Sequence, residues 1–346
     1  MNAIPKFTAA DFASDQEVRW CPGCGDYSIL KSVQRTLAEI GALPESTVCI
    51  SGIGCSSRFP YYVETYGYHT IHGRAPAIAT GVKLANSELD VWIVTGDGDG
   101  LSIGGNHMLH LLRRNLDCQV LLFNNEIYGL TKGQYSPTSR SGKQSPSTPF
   151  GSVDRPLNPC AFALGAGARF IARSYDLAQS KTPKILARAH AHRGTSFVEI
   201  YQNCIVYNDG AFEKFAGKKA APDSQLWLES GKPMLFAGGS KGVRLNREAW
   251  ALEVVSLEGD TPEAAGILVH DETNNVIAKL LIDMPFGSFP VALGVIYCNP
   301  APAFDSAVAE QNRQVAAGTK RDLNALLRKG DTWSVEADAT EPHSLQ

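Results

Sequence analysis

Apolar positions along residues 90–134 fall in two short blocks on either side of an amphipathic stretch. The first block, DVWIVTG, is almost continuously apolar, the pattern of a parallel strand covered on both faces. It ends at Gly96-Asp97-Gly98, a tight turn. Met108, Leu109, Leu111, Leu112 and Leu116 then recur at helical spacing. A second block, residues 120–123, ends in Asn124-Asn125. The pattern predicts one strand–helix–strand unit with polar side chains at the carboxyl ends of both strands. In open α/β sheets that edge is where ligands bind.

Similar patterns run on both sides of this unit. Ile29, Leu30, Val33, Leu37 and Ile40 form a helical stripe that Gly41 closes. A strand over residues 47–51 leads into Gly52-Ile53-Gly54-Cys55-Ser56-Ser57-Arg58 and then an aromatic loop over 59–70. Ile71-His72-Gly73-Arg74 opens a helix of small residues over 75–89. Residues 135–159 are rich in Ser, Thr, Pro and Gly and predict an irregular loop, long enough to act as a lid or an interface arm. A strand at 168–172, a helix at 176–192 and a strand at 196–202 follow. Together these predict an α/β fold, a parallel sheet flanked by helices, over residues 1–210, with residues 1–19 as a loosely ordered arm. Residues 211–346 read as a C-terminal extension that wraps the core or meets a partner subunit. It carries short strands and turns near 233–239, 251–259, 266–275 and 291–302, and helices at 303–316 and 321–329.

Charge and composition exclude several classes. The 32 Lys and Arg are balanced by 35 Asp and Glu, a net charge of −3, so no nucleic-acid partner is expected. Hydrophobic residues at 44% and a mean hydropathy of −0.13 fit a soluble globular chain. No apolar run approaches membrane-spanning length, and the first residues carry acids instead of an apolar signal core. The expected location is the cytoplasm.

The residue types at the strand ends suggest the chemistry. Gly96 and Gly98 allow close backbone approach to a ligand, and the helix after them offers free N–H groups to a phosphate. Asp97 and Asn125 are hard oxygen ligands, to which the backbone at Ile127 can add a carbonyl; such a set suits Mg²⁺ shared with a diphosphate. A GDG ending one strand and an NN ending the next resembles the thiamine diphosphate signature. Eight cysteines are too dilute for a disulfide scaffold. Cys21 and Cys24 form C-x-x-C, and Cys55 and Cys204 end strands. Four thiolates from separate turns fit a [4Fe–4S] cluster or a structural Zn²⁺. Cys49, Cys118, Cys160 and Cys298 read as structural, and His107, His110, His190 and His192 receive no role.

The motifs W-C-P-G-C-G, G-I-G-C-S-S, I-H-G-R-A, T-G-D-G-D and N-N-E-I-Y-G-L-T-K-G-Q follow in this order between residues 18 and 210. The series resembles the β subunit of 2-oxoacid:ferredoxin oxidoreductases. The resemblance implies a thiamine diphosphate-binding fold, with one [4Fe–4S] cluster on Cys21, Cys24, Cys55 and Cys204. It implies Mg²⁺ on Asp97, Asn125 and Ile127, and His72 and Leu130 beside the cofactor. Arg58 and Lys132 match basic positions facing the pocket. The implied reaction is coenzyme A-dependent oxidative decarboxylation of a 2-oxoacid, with electrons leaving through the cluster to ferredoxin. In similar enzymes the activating glutamate comes from an α subunit, so this chain alone should be inactive. Asn203 stands before Cys204 where many relatives carry Pro. The long C-terminal region and the two basic residues favour 2-oxoglutarate over pyruvate. Two other readings compete: a non-redox thiamine diphosphate decarboxylase or synthase subunit, and a zinc-stabilised binding module.

Overall fold

In the computed structural model, which describes residues 6–318 and 322–335, the apolar blocks become the strands of one central sheet. Its strands are β1 (Thr47–Ser51), β2 (Tyr66–His69), β3 (Asp90–Gly96), β4 (Cys118–Asn124), β5 (Phe170–Tyr175), β6 (Thr195–Tyr201), β7 (Gln225–Leu228) and β11 (Val291–Cys298). They lie in the order β2-β1-β3-β4-β6-β5-β11-β7. The first six run parallel, and β11 joins β5 in the opposite sense with β7 parallel to it. Segments beyond residue 210 thus supply two strands of the central sheet. They also form a small antiparallel sheet of β8 (Leu235–Phe236), β9 (Lys241–Asn246) and β10 (Ala251–Ser256).

Alternate residues of each central strand serve opposite faces, which is why those strands read as continuous apolar runs. Ile93, Val120 and Leu122 pack with α2 (Ala75–Ala85), α3 (Gly105–Arg114), α4 (Pro159–Gly165) and α8 (Asn275–Ile282). Trp92, Val94, Leu121 and Phe123 pack with α1 (Asp26–Ile40) and α5 (Thr182–Ala191). Two short helices, α6 (Glu213–Ala216) and α7 (Ala221–Ser224), lead into β7. The chain divides into two units, Met1–Ala307 and Val308–Gln346; α9 (Phe304–Ala317) begins in the first, and α10 (Leu323–Leu327) lies in the second.

Several expectations shift. The aromatic loop contains β2, an edge strand exposed along its whole length and therefore without a burial pattern. Residues 6–19 are held in place, with Phe12 fully buried and Ala13 bridged to Val63. Leu109 faces outward, whereas Met108, Leu111 and Leu112 are buried. The helix expected from 176 starts at Thr182, with Pro183 in its first turn, where a missing N–H costs nothing. Asn274 caps α8 through Val276 and Ile277; the sequence pattern ends its strand-and-turn stretch at residue 275 and assigns nothing to the rest of this helix. Of the helix expected at 321–329, Arg321 lies outside the described residues. Among the described residues no helix is long and apolar enough to cross a membrane.

Candidate functional site

Pairing of β3 with β4 sets Gly96 opposite Phe123, so Asp97 and Asn124-Asn125 emerge side by side at the carboxyl edge of the sheet. Asp97 is 2% exposed. Its Oδ2 accepts from Ser136 Oγ at 2.6 Å and Thr138 Oγ1 at 2.5 Å. Burial pushes its carboxyl up to about 6, and the two hydroxyls only partly offset this. Thr138 Oγ1 also lies 2.9 Å from Asn124 Oδ1. Asn125 Oδ1 accepts from the Ile127 N–H at 3.2 Å, and its amide donates to Gln202 Oε1 at 2.9 Å. The turn after β4 folds back onto the glycines: Tyr128 donates to the Gly98 carbonyl at 3.2 Å, and any Cβ on Gly98 would collide with the Tyr128 ring. After Gly98 the chain makes a wide i→i+5 turn, Gly104 N–H to Asp99 carbonyl at 3.0 Å, before α3 begins.

Three turns carrying four cysteines meet nearby. A Cβ on Gly129 would stand 3.5 Å from the Cys204 sulfur and 3.7 Å from that of Cys55. Cys24 Sγ accepts from Gln202 Nε2 at 3.2 Å. Cys24 senses the charges of Cys204 and Cys55, and Cys55 those of Cys204 and Cys21. Burial raises both thiols, with Asp26 adding to the effect, and Cys55 is pushed up to about 12. Thiols in such surroundings ionise only when bound positive charge compensates them. Asp26 itself is fully buried, and neither of its oxygens makes a hydrogen bond of good geometry. Burial pushes its carboxyl up to about 7, offset in part by the adjacent Cys24 thiol. Trp20 fixes the Cys55 turn by donating to the Cys55 carbonyl at 2.7 Å, its ring boxed by Tyr27, Phe59 and Tyr62. Among the described residues no three His, Cys, Asp or Glu side chains close around a single ion. Cys49, Cys118 and Cys160 are buried in core packing, Cys160 against Glu199 at 3.2 Å, while Cys298 is half-buried at the end of β11.

The remaining expected residues are placed as follows. His72 is half-buried, with Nδ1 2.5 Å from Asp99 Oδ1. Arg58 is exposed; its Nε donates to Tyr62 Oη at 2.9 Å and its guanidinium lies 5.9 Å from the ring centres of Tyr61 and Tyr62. Leu130 and Lys132 are exposed on the turn after Gly129, Lys132 at φ +75°. Ile127 is buried.

Sequence reasoning missed Ser136, Thr138, Glu126 and Asp99. The two hydroxyls sit in a loop uniformly rich in Ser and Thr, so composition gave no way to single them out. Glu126 occupies a left-handed turn position, φ +55°, and pairs with Arg140 at 3.2 Å. Burial nevertheless pushes its carboxyl up to about 7. The second Asp of T-G-D-G-D and the Glu of N-N-E-I-Y-G-L-T-K-G-Q stood in quoted motifs, but neither was given a role.

A carboxylate and an amide at adjacent strand ends, behind a glycine turn, agree with the arrangement expected of a thiamine diphosphate-binding protein, and the family match places the chain in that class. Residues 52–200 match the family described as thiamine pyrophosphate enzyme, C-terminal TPP binding domain. Over 342 residues the chain is 46% identical to 2-oxoglutarate oxidoreductase subunit KorB of Mycobacterium tuberculosis, covering 94% of this chain and 88% of that one. It therefore belongs to the family of 2-oxoacid:ferredoxin oxidoreductase β subunits. It is also 48% identical over 190 residues to 2-oxoacid:ferredoxin oxidoreductase 1, subunit beta, of Aeropyrum pernix, covering 55% of this chain and 60% of that one. Among solved structures it resembles 2-oxoglutarate:ferredoxin oxidoreductase from Magnetococcus marinus with 2-oxoglutarate, coenzyme A and succinyl-CoA bound. There the TM-score is 0.76 and the identity 32%, over 96% of this chain and 98% of that one.

Proposed function

We propose that this chain is the β subunit of a 2-oxoglutarate:ferredoxin oxidoreductase, converting 2-oxoglutarate and coenzyme A to succinyl-CoA with an α subunit. The observation that carries this reading is the meeting of two donor sets on one turn. Ile127 belongs to the Asp97–Asn125 group, and a Cβ at Gly129, two residues on, would stand within van der Waals reach of the sulfurs of Cys55 and Cys204. A non-redox thiamine subunit has no use for the second set, and a zinc-stabilised binding module has no use for the first.

Asp97, Asn125 and the Ile127 carbonyl would hold Mg²⁺, and the Gly96–Gly98 turn would admit the diphosphate beside His72. Cys21, Cys24, Cys55 and Cys204 would hold one [4Fe–4S] cluster; cysteines gathered around one turn, with no three such side chains among the described residues closing on a single ion, fit a polynuclear group better than a lone metal. When bound, thiamine diphosphate supplies the electron sink for decarboxylation and the cluster the one-electron route to ferredoxin. The chain's own residues bind, orient and exclude water. Tyr128 closes over Gly98, and Ser136 and Thr138 hold one carboxylate oxygen of Asp97, leaving Oδ1 to face a cation. Free thiols at these positions call for a reducing compartment, in keeping with the cytoplasm.

The complex with its α subunit, purified without air, should contain iron, sulfide and thiamine diphosphate. It should reduce a viologen dye only when 2-oxoglutarate and coenzyme A are both present. The β chain alone should be inactive, and steady turnover by it alone would overturn the division of labour. Substrate choice rests on Arg58, whose Nε is occupied by Tyr62 while its terminal amino groups remain able to grip a distal carboxylate. Arg58→Gln should raise KM for 2-oxoglutarate roughly tenfold or more, the loss of one charged hydrogen bond, and leave KM for pyruvate little changed. Higher wild-type kcat/KM for pyruvate would reject the substrate assignment whatever this variant does.

A further inference from the structure

Asp99 is 3% exposed and receives four donors. Oδ1 accepts from the Ile53 N–H at 3.0 Å, the Gly73 N–H at 2.7 Å and His72 Nδ1 at 2.5 Å. Oδ2 accepts from Thr95 Oγ1 at 2.6 Å. These donors lie on three separate segments: the turn that leads to Cys55, the turn that opens α2, and the end of β3 itself. Gly52 is shaped to this carboxylate, since any Cβ there would run into both of its oxygens. G-I-G-C, I-H-G-R and T-G-D-G-D are thus three parts of one polar knot.

We propose that Asp99 is a positioning residue of the cofactor pocket, acting through His72, and that it ties the Cys55 turn to the histidine. The inference rests on reading the pocket as a thiamine diphosphate site. Two backbone N–H groups already converge on Oδ1, so that oxygen acts as an acceptor and His72 Nδ1 carries the proton between them. That fixes the ring's tautomer and rotation. Without this carboxylate the ring could take either tautomer or turn away, and a ligand would have to select the competent arrangement at a cost in affinity.

The test uses the complete complex with isotopically labelled histidine and solid-state nitrogen NMR. His72 is identified by the signal lost in His72→Gln. In the wild type, before cofactor is added, His72 should carry a proton on Nδ1. In Asp99→Ala, which removes the acceptor, it should shift towards protonation on Nε2 only, and the dissociation constant for thiamine diphosphate with Mg²⁺ should rise at least tenfold. Thr95→Val removes only the donor to Oδ2, so its His72 spectrum should match the wild type. A neutral wild-type His72 protonated only on Nε2 overturns the proposal without any variant. So does a folded Asp99→Ala complex with wild-type spectrum and affinity. A wild-type complex that binds no thiamine diphosphate would defeat the reading of the pocket, and the tautomer result would still decide whether Asp99 sets His72.

Discussion

Asp97→Asn should leave the fold intact and weaken thiamine diphosphate binding by the complex roughly 100-fold, about 2.7 kcal/mol. The Asp97 carboxyl is held in a dry pocket, its Oδ2 taken by Ser136 and Thr138. Burial makes the charged form costly, which is why the carboxyl rises to about 6. A cation facing Oδ1 removes that cost, so the same burial that disfavours the bare carboxylate favours a bound ion. Asparagine keeps the shape, and its amide can donate to hydroxyls that accept as readily as they donate. What it removes is the charge. Asp97→Ala is the poorer probe, because it also takes one acceptor from each of two buried hydroxyls. Calorimetric titration of the complex with cofactor and Mg²⁺ measures the effect, and an unchanged affinity in Asp97→Asn would remove Asp97 from the metal site.

The elements legible in the sequence are those whose burial is set by near neighbours. β3 and β4 lie at the centre of the sheet and are covered on both faces, so their apolar runs announce them. The turns that end them carry Gly, Asp and Asn, whose preferences are local. β2 was illegible because it is an exposed edge strand, held by pairing with β1 and not by a buried face of its own. β11 is an apolar run of the expected kind, but its antiparallel insertion between β5 and β7 depends on packing by segments far away in the chain.

A similar limit governs the site. Asp97, Asn125 and the four cysteines could be singled out because their types and order point to the proposed chemistry. Their supports were not. Ser136 and Thr138 reach Asp97 from about forty residues away, and Gln202 reaches Cys24 across 178 positions. Nothing local marks one serine among many as the partner of a buried carboxylate. Trp20 stood in a quoted motif, yet its work, holding the Cys55 carbonyl inside an aromatic box, emerges only once α1 and the 56–62 turn are packed.

Arg173→Met should cost about 3–5 kcal/mol of stability, because it leaves a charge buried without its partner. Glu199 is fully buried in β6. Its Oε2 is 2.8 Å from Arg173 Nε and 3.2 Å from the Cys160 sulfur, and its Oε1 accepts from Asn124 Nδ2 at 2.8 Å. With the guanidinium gone, only a neutral amide and a thiol remain beside the carboxylate. Methionine fills much of the volume, so the loss is electrostatic and not a large cavity. Thermal unfolding should fall by roughly 10 °C for a change of that size. The further substitution Glu199→Gln should recover most of it, since the double variant contains no unpaired charge. Equal losses in the single and double variants would assign the effect to packing and refute the ion-pair account. The consequence reaches the cofactor site through a short chain of contacts. Glu199 orients Asn124, Asn124 faces Thr138, and Thr138 holds Asp97. The single variant should therefore also bind thiamine diphosphate less tightly than the double variant.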